Sequence, residues 1–310
     1  MAEKDPGQPR PGTWYLVPTT FADDGTLDLA SQGRLVDAAV AWGVDGLTVM
    51  GVMSEPGALG DTERTTVLKA IFAAAGGRVP ITVGCSAASP ALVLERIREA
   101  RDLGAAAAMV AAPPLLRNVD QLPRFFEAVA AGGLPLVIQD EPAATGVSMP
   151  VSVLLSSAAA SGSVCIKVED PPTPAKIGQL LAARADLTLF GGLGGVSAFH
   201  EMTRGAAGTM TGFAYPEVMR AIRLAIAAGQ PAAGARLFRS FLPLIVFEAQ
   251  VGVGLLIRKE VLRRRGAISS ARSRAISPRL DATTAGELDA VLALVGLEPS
   301  IDPLDLMAAT

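Results

Sequence analysis

Short apolar, β-branched runs recur along the chain at intervals of roughly 25 to 35 residues, each giving way to a turn and an Ala/Leu-rich stretch with helical spacing. Eight such runs are predicted as strands: WYLVP (14–18), GLTVM (46–50), PITVG (80–84), AAMVAA (107–112), PLVIQ (135–139), VCIKV (164–168), LTLF (187–190) and GTMTG (208–212). Between them lie amphipathic stretches such as LASQGRLVDAAVAWG, PALVLERIREARDLG and QLPRFFEAVAAGG. All three end in Gly, where a helix C-cap needs positive φ. Eight strands alternating with helices predict an α/β fold, a (β/α)8 TIM barrel, with a C-terminal helical extension. The competing open doubly wound sheet lacks its fingerprint, because no G-x-G-x-x-G follows the first strand and GGLGG comes only at 191–195. The expected organisation is a flexible segment at 1–12, the barrel at 13–225, and C-terminal helices packed on the barrel at 226–310.

Composition narrows the partners. Half of the 310 residues are hydrophobic and only 18% are charged, the balance of a globular protein with many buried strands. The most apolar stretch, SFLPLIVFEAQVGVGLLI, is interrupted by Pro243, Glu248 and Gln250, which predicts a buried helix pair and no membrane span. The N-terminal segment is polar and proline-rich with no apolar core, so the expected location is cytoplasmic. Cys85 and Cys165 each lie in an apolar strand-like run and read as reduced core residues. With one histidine, His200, in the chain, metal catalysis is not expected. A net charge of −3 gives no reason to expect nucleic acid. The local exception is RKEVLRRRGAISSARSR (258–274), with seven basic residues against one acid. It reads as a solvated helix followed by a loop, since no aromatic residues are interleaved for base stacking.

In such barrels the chemistry sits at the C-terminal ends of the strands. The sixth strand runs into Lys167 and Glu169, which alternation places on one face with Cys165. If that face is the barrel interior, an amine and a carboxylate meet at the mouth, the pairing that imine chemistry on a ketone requires. A solvent-facing Lys–Glu pair gives the same pattern. Gln139 ends the fifth strand and would point into the mouth as a neutral hydrogen-bonding group, while Asp140 and Glu141 read as turn residues before Pro142. The loop after the second strand, with Val52, Met53 and Ser54, could hold a carboxylate through backbone N–H groups and the serine hydroxyl. Gly192 in the GGLGG loop permits close backbone approach to a ligand, and Met210 lies on the eighth strand.

Taken together, PTTFADDGTLD, GVDGLTVMG with the following SE and ER, GRVPITVG, LPLVIQDEPAATGV and CIKVED resemble the dihydrodipicolinate synthase and N-acetylneuraminate lyase family of class I aldolases and dehydratases, over almost the whole chain. The resemblance implies that Lys167 is the imine-forming lysine. It also marks departures. A tyrosine of the synthases and lyases is replaced by Gln139, a carboxylate-binding arginine is absent near Ala144, the paired threonines correspond to Val52 and Met53, and the aromatic pair after the fourth strand to Pro114 and Leu115. The chain is more similar to the 2-keto-3-deoxy-pentonate dehydratase branch, which shares a Gln-Asp-x-Pro turn (Gln139, Asp140, Pro142), a Lys-x-Glu sixth strand, and the Ser54–Glu55 pair.

The resulting expectation is a Schiff-base lyase acting on a small 2-keto acid. Lys167 and Glu169 are its nucleophile and base, Gln139 holds substrate or water, and Val52, Met53, Ser54, Gly192 and Met210 form the substrate-binding set. Asp140 is the reserve candidate for the base. The resemblance implies no diffusible cofactor, only the covalent lysine imine, and a homo-oligomer, dimer or tetramer. The alternatives are a pyruvate-dependent aldolase or dihydrodipicolinate synthase-like condensation, and an inactive keto-acid-binding barrel.

Overall fold

A computed structural model describes residues 8–274 and 278–306. All eight apolar runs are strands: β1 (Gly12–Leu16), β2 (Gly46–Val49), β3 (Ile81–Gly84), β4 (Ala107–Ala111), β5 (Leu136–Asp140), β6 (Cys165–Val168), β7 (Thr188–Gly191) and β8 (Gly208–Thr211). They pair in parallel in chain order, and β8 closes on β1 through the Trp14–Met210 register, giving a closed (β/α)8 barrel. Around it run α1 (Leu29–Ala41), α2 (Asp61–Ala75), α3 (Pro90–Asp102), α4 (Leu122–Ala130), α5 (Pro142–Thr145), α6 (Val151–Ser161), α7 (Thr173–Ala183), α8 (Ala198–Thr203) and α9 (Pro216–Ala227).

Alternation along each strand separates two apolar layers. Outward residues such as Ile166, Val168 and Leu189 pack under the helices. Inward residues Trp14, Met109, Val137, Cys165, Phe190 and Met210 fill the barrel. Trp14 meets Phe190 edge to face at 6.3 Å. Its ring leaves no room for a side chain on β2, since a methyl at Gly46 would lie 2.5 Å from the indole. The barrel is therefore plugged below, and functional groups can be reached only at its rim.

The chain joins the barrel earlier than the sequence suggests. Residues 1–7 lie outside the described residues, but Pro9 is buried, the Trp14 indole N–H donates to the Arg10 carbonyl, and Gly12 opens β1. Beyond the barrel come α10 (Pro231–Glu248), which lies against α9, then α11 (Gly254–Arg264) and α12 (Ala282–Leu294). The apolar stretch before Arg258 is indeed split between two helices, and among the described residues no helix is long and apolar enough to cross a membrane.

The basic stretch 258–274 is not a solvated helix and loop. Lys259 is buried against Glu55 at 2.5 Å and over the Phe21 ring. Arg265 is buried between Trp42 and Tyr215, pairs with Glu217 at 2.7 Å, and donates to the Ala214 carbonyl. Arg274 forks onto both oxygens of Glu63 at 2.7 Å. Each of these three cations meets a carboxylate from the barrel, so the segment straps the C-terminal helices to the β2 loop, α2 and α9. The two buried pairs, Lys259–Glu55 and Arg265–Glu217, fix one docking geometry, because removing either partner strands a charge away from water.

Candidate active site

Gln139 on β5, Lys167 on β6 and Phe190 on β7 are register neighbours. Gln139 and Lys167 point inward at the rim, directly above the apolar plug. Glu169, two residues beyond Lys167, keeps the same face. Its Oε2 lies 2.9 Å from Lys167 Nζ and accepts from Gln139 Nε2 at 2.8 Å, while Oε1 accepts from the Leu193 N–H at 3.2 Å. The amine, the carboxylate and the amide predicted from the strand ends thus form one hydrogen-bonded cluster, buried in the barrel mouth.

Above this cluster opens a cavity of about 380 Å³, with Val52, Met53 and Met210 among its walls. Ser54 does not face it: the hydroxyl donates its only proton to the Val17 carbonyl at 2.7 Å and has none left for a carboxylate. Gly192 is not a wall either. It backs Glu169, and a methyl there would lie 2.5 Å from Cδ and 2.6 Å from Cγ of that side chain. Asp140 cannot stand in as the base, because alternation turns it outward, where it is buried against Lys176 at 2.6 Å.

Two groups that the sequence reading passed over do line the cavity. Glu141 continues the inward face of β5 two residues after Gln139, and its Oε2 accepts from Gln139 Nε2 at 2.9 Å. Burial, then the neighbouring charge of Glu169, pushes its carboxyl well above the usual range. The period-two rule that selected Glu169 would have selected Glu141 had the strand been continued to it. Arg258 comes from α11, far away in sequence, and carried no local signal. Its Nη1 reaches Met53 Sδ at 2.7 Å, and Nε lies 3.4 Å from Glu248. Glu248 is fully buried, with its pKa pushed up to about 7 chiefly by burial. The cavity is therefore lined by both signs of charge, a guanidinium set between Met53 after β2 and Gly194 after β7, and two carboxyl groups from the ends of β5 and β6. Among the described residues, no group of three or more His, Cys, Asp or Glu side chains gathers as metal ligands.

This arrangement has close counterparts. The sequence profile of the Dihydrodipicolinate synthetase family matches residues 12–292. The chain belongs to that family. It is an enzyme, a carbon–oxygen lyase or class I aldolase of the dihydrodipicolinate synthetase family. L-2-keto-3-deoxyarabonate dehydratase of Azospirillum brasilense is 34% identical over 289 residues, 90% of this chain and 93% of the relative. The 4-hydroxy-tetrahydrodipicolinate synthase of Xanthomonas axonopodis pv. citri is 36% identical over 204 residues, covering 64% of this chain and 67% of that one. Among solved structures, the dihydrodipicolinate synthase of Rhodopseudomonas palustris superposes with a TM-score of 0.87 at 35% identity, over 93% of this chain and 98% of that one.

Proposed function

We propose that this protein dehydrates a 2-keto-3-deoxy sugar acid through an imine on Lys167. The observation that carries the reading is Gln139. An aldol or retro-aldol step has to move a proton to or from the substrate's C4 hydroxyl, which a tyrosine in a relay can do. A primary amide donates hydrogen bonds but does not exchange protons at neutral pH. Gln139 has both N–H groups committed to Glu141 and Glu169, so it orders the site without relaying protons. The full-length similarity to a 2-keto-3-deoxyarabonate dehydratase supports the same assignment.

The chemistry follows from the placement. Glu169 takes one proton from the Lys167 ammonium, the amine attacks the C2 ketone, and the carbinolamine oxygen leaves as water with that proton. The iminium then acts as an electron sink, and Glu169 removes a C3 proton to give the enamine. Collapse of the enamine expels the C4 hydroxyl, and hydrolysis releases the product from the lysine. Arg258, which lines the cavity, pairs with the substrate carboxylate, a task that falls to it because Ala144 is no cation. No diffusible cofactor enters this scheme.

The test offers L-2-keto-3-deoxyarabonate and its stereoisomers and follows product mass. Dehydration lowers the mass by one water and retains every carbon, whereas release of pyruvate with a shorter aldehyde would move the protein to the aldolase reading. Reduction by borohydride in the presence of pyruvate should place a single adduct on Lys167, and turnover with no such adduct would refute the imine.

A further inference from the structure

In the scheme above the departing C4 hydroxyl needs a proton. Hydroxide is too poor a leaving group to go unassisted, and Glu169, the base at C3, is itself engaged by Lys167, Gln139 and the Leu193 amide. A second proton carrier in the cavity would supply that proton without Glu169 having to serve both carbons.

We propose that Glu141 is the general acid that protonates the C4 hydroxyl as it leaves. The assignment rests on the dehydratase reading and deepens it. Its first support is position: Glu141 lines the same cavity as Lys167, Glu169 and Arg258, and the Gln139 amide ties it to Glu169. With C2 held on Lys167, a keto acid has its C4 hydroxyl inside the cavity that Glu141 lines. The second support is the asymmetry of the two carboxyl groups. An ammonium at 2.9 Å and a backbone N–H at 3.2 Å stand against Glu169. Against Glu141, among the described residues, there is no ion-pair partner at all, only the Gln139 amide. Two carboxyl groups tied to one amide nitrogen but set in unlike surroundings are suited to opposite proton-transfer roles. Gln139 also fixes where the proton sits: by donating to Oε2 of Glu141 it leaves Oε1 to carry the hydrogen. Burial and the charge of Glu169 then keep that hydrogen in place to a higher pH than an exposed glutamate would.

The step balances. Glu169 gains the C3 proton, the enamine electrons form the C3–C4 double bond, the C4–O bond breaks, and the oxygen leaves as water with the proton of Glu141. One proton then returns from Glu169 to Glu141 through solvent, and no oxidant or reductant is involved.

The experiment compares the unmodified enzyme with Glu141→Gln on L-2-keto-3-deoxyarabonate and on the analogue bearing fluorine in place of the C4 hydroxyl, since fluoride leaves without a proton. General-acid catalysis predicts that Glu141→Gln loses dehydration by roughly two to four orders of magnitude. Fluoride release should stay within a few-fold of the unmodified enzyme, and borohydride trapping of pyruvate should be retained. Equal losses with both substrates, or no loss with either, overturn the assignment while leaving the dehydratase reading in place. If the unmodified enzyme traps pyruvate but dehydrates neither this substrate nor its stereoisomers, both fall together. Should Glu141→Gln fail to trap pyruvate, Glu141→Asp carries the same comparison, and an equal drop for water and fluoride loss refutes the role.

Discussion

Gly192→Ala is a small perturbation that displaces the proposed base without replacing it. The glycine has a φ of −129°, so the requirement is steric and alanine adds no backbone strain of the left-handed kind. The added methyl would lie 2.5 Å from Cδ and 2.6 Å from Cγ of Glu169, whereas carbon atoms rest about 3.5–4.0 Å apart. The Glu169 side chain must therefore retreat by about 1 Å. Its carboxylate is held by three contacts of 2.8 to 3.2 Å, to Gln139, Lys167 and the Leu193 amide, and a shift of that size breaks or lengthens all of them. Misplacing a catalytic group by about 1 Å costs on the order of 10²-fold in rate, or roughly 3 kcal/mol of barrier. The expected outcome is a fall in kcat on L-2-keto-3-deoxyarabonate of about that size. Lys167 itself does not move, so pyruvate should still be trapped on it by borohydride. Glu169→Gln, which deletes the base outright, sets the floor. Turnover of Gly192→Ala at the unmodified level would refute the argument that this glycine exists to seat Glu169.

Arg258→Met keeps much of the packing and removes the charge that faces the cavity, so KM for the keto acid should rise about 10- to 100-fold, with kcat changed less, as loss of one charge-assisted contact implies. An unchanged KM would remove Arg258 from substrate binding. Glu201, buried with the Thr173 hydroxyl at 2.5 Å, is held up to about 7 by burial, with the charge of Glu169 adding to the effect. Because its folded pKa is the higher one, the stability it contributes is present in full below its unfolded value near 4.5 and is lost as pH rises through 7, about 3 kcal/mol in all. The difference in Tm between Glu201→Gln and the parent should therefore shift in favour of the variant between pH 5 and 8. A pH-independent difference would show that burial does not raise the Glu201 pKa above its unfolded value.

The barrel and half of its site were legible along the chain. Strand alternation and helical spacing are local properties, so the eight runs, their order and the inward facing of Gln139, Lys167 and Glu169 followed from sequence distances of a few residues. The same rule reached Glu141, which was obscured by a competing local signal, the turn chemistry of an acid before proline. Ser54 and Gly192 lay on the predicted loops, but the direction of a hydroxyl and the neighbour of a missing Cβ are set by Val17 and Glu169, which are distant in sequence. The basic stretch 258–274 could not be read locally at all. Whether a cation is solvated or buried depends on a carboxylate waiting for it, and Glu55, Glu217 and Glu248 come from other parts of the chain. Sequence by itself thus determined the scaffold and the inward-facing Lys167–Glu169 pair, while tertiary structure alone decided that Arg258 lines the cavity, because burying a guanidinium requires partners that only the closed fold brings together.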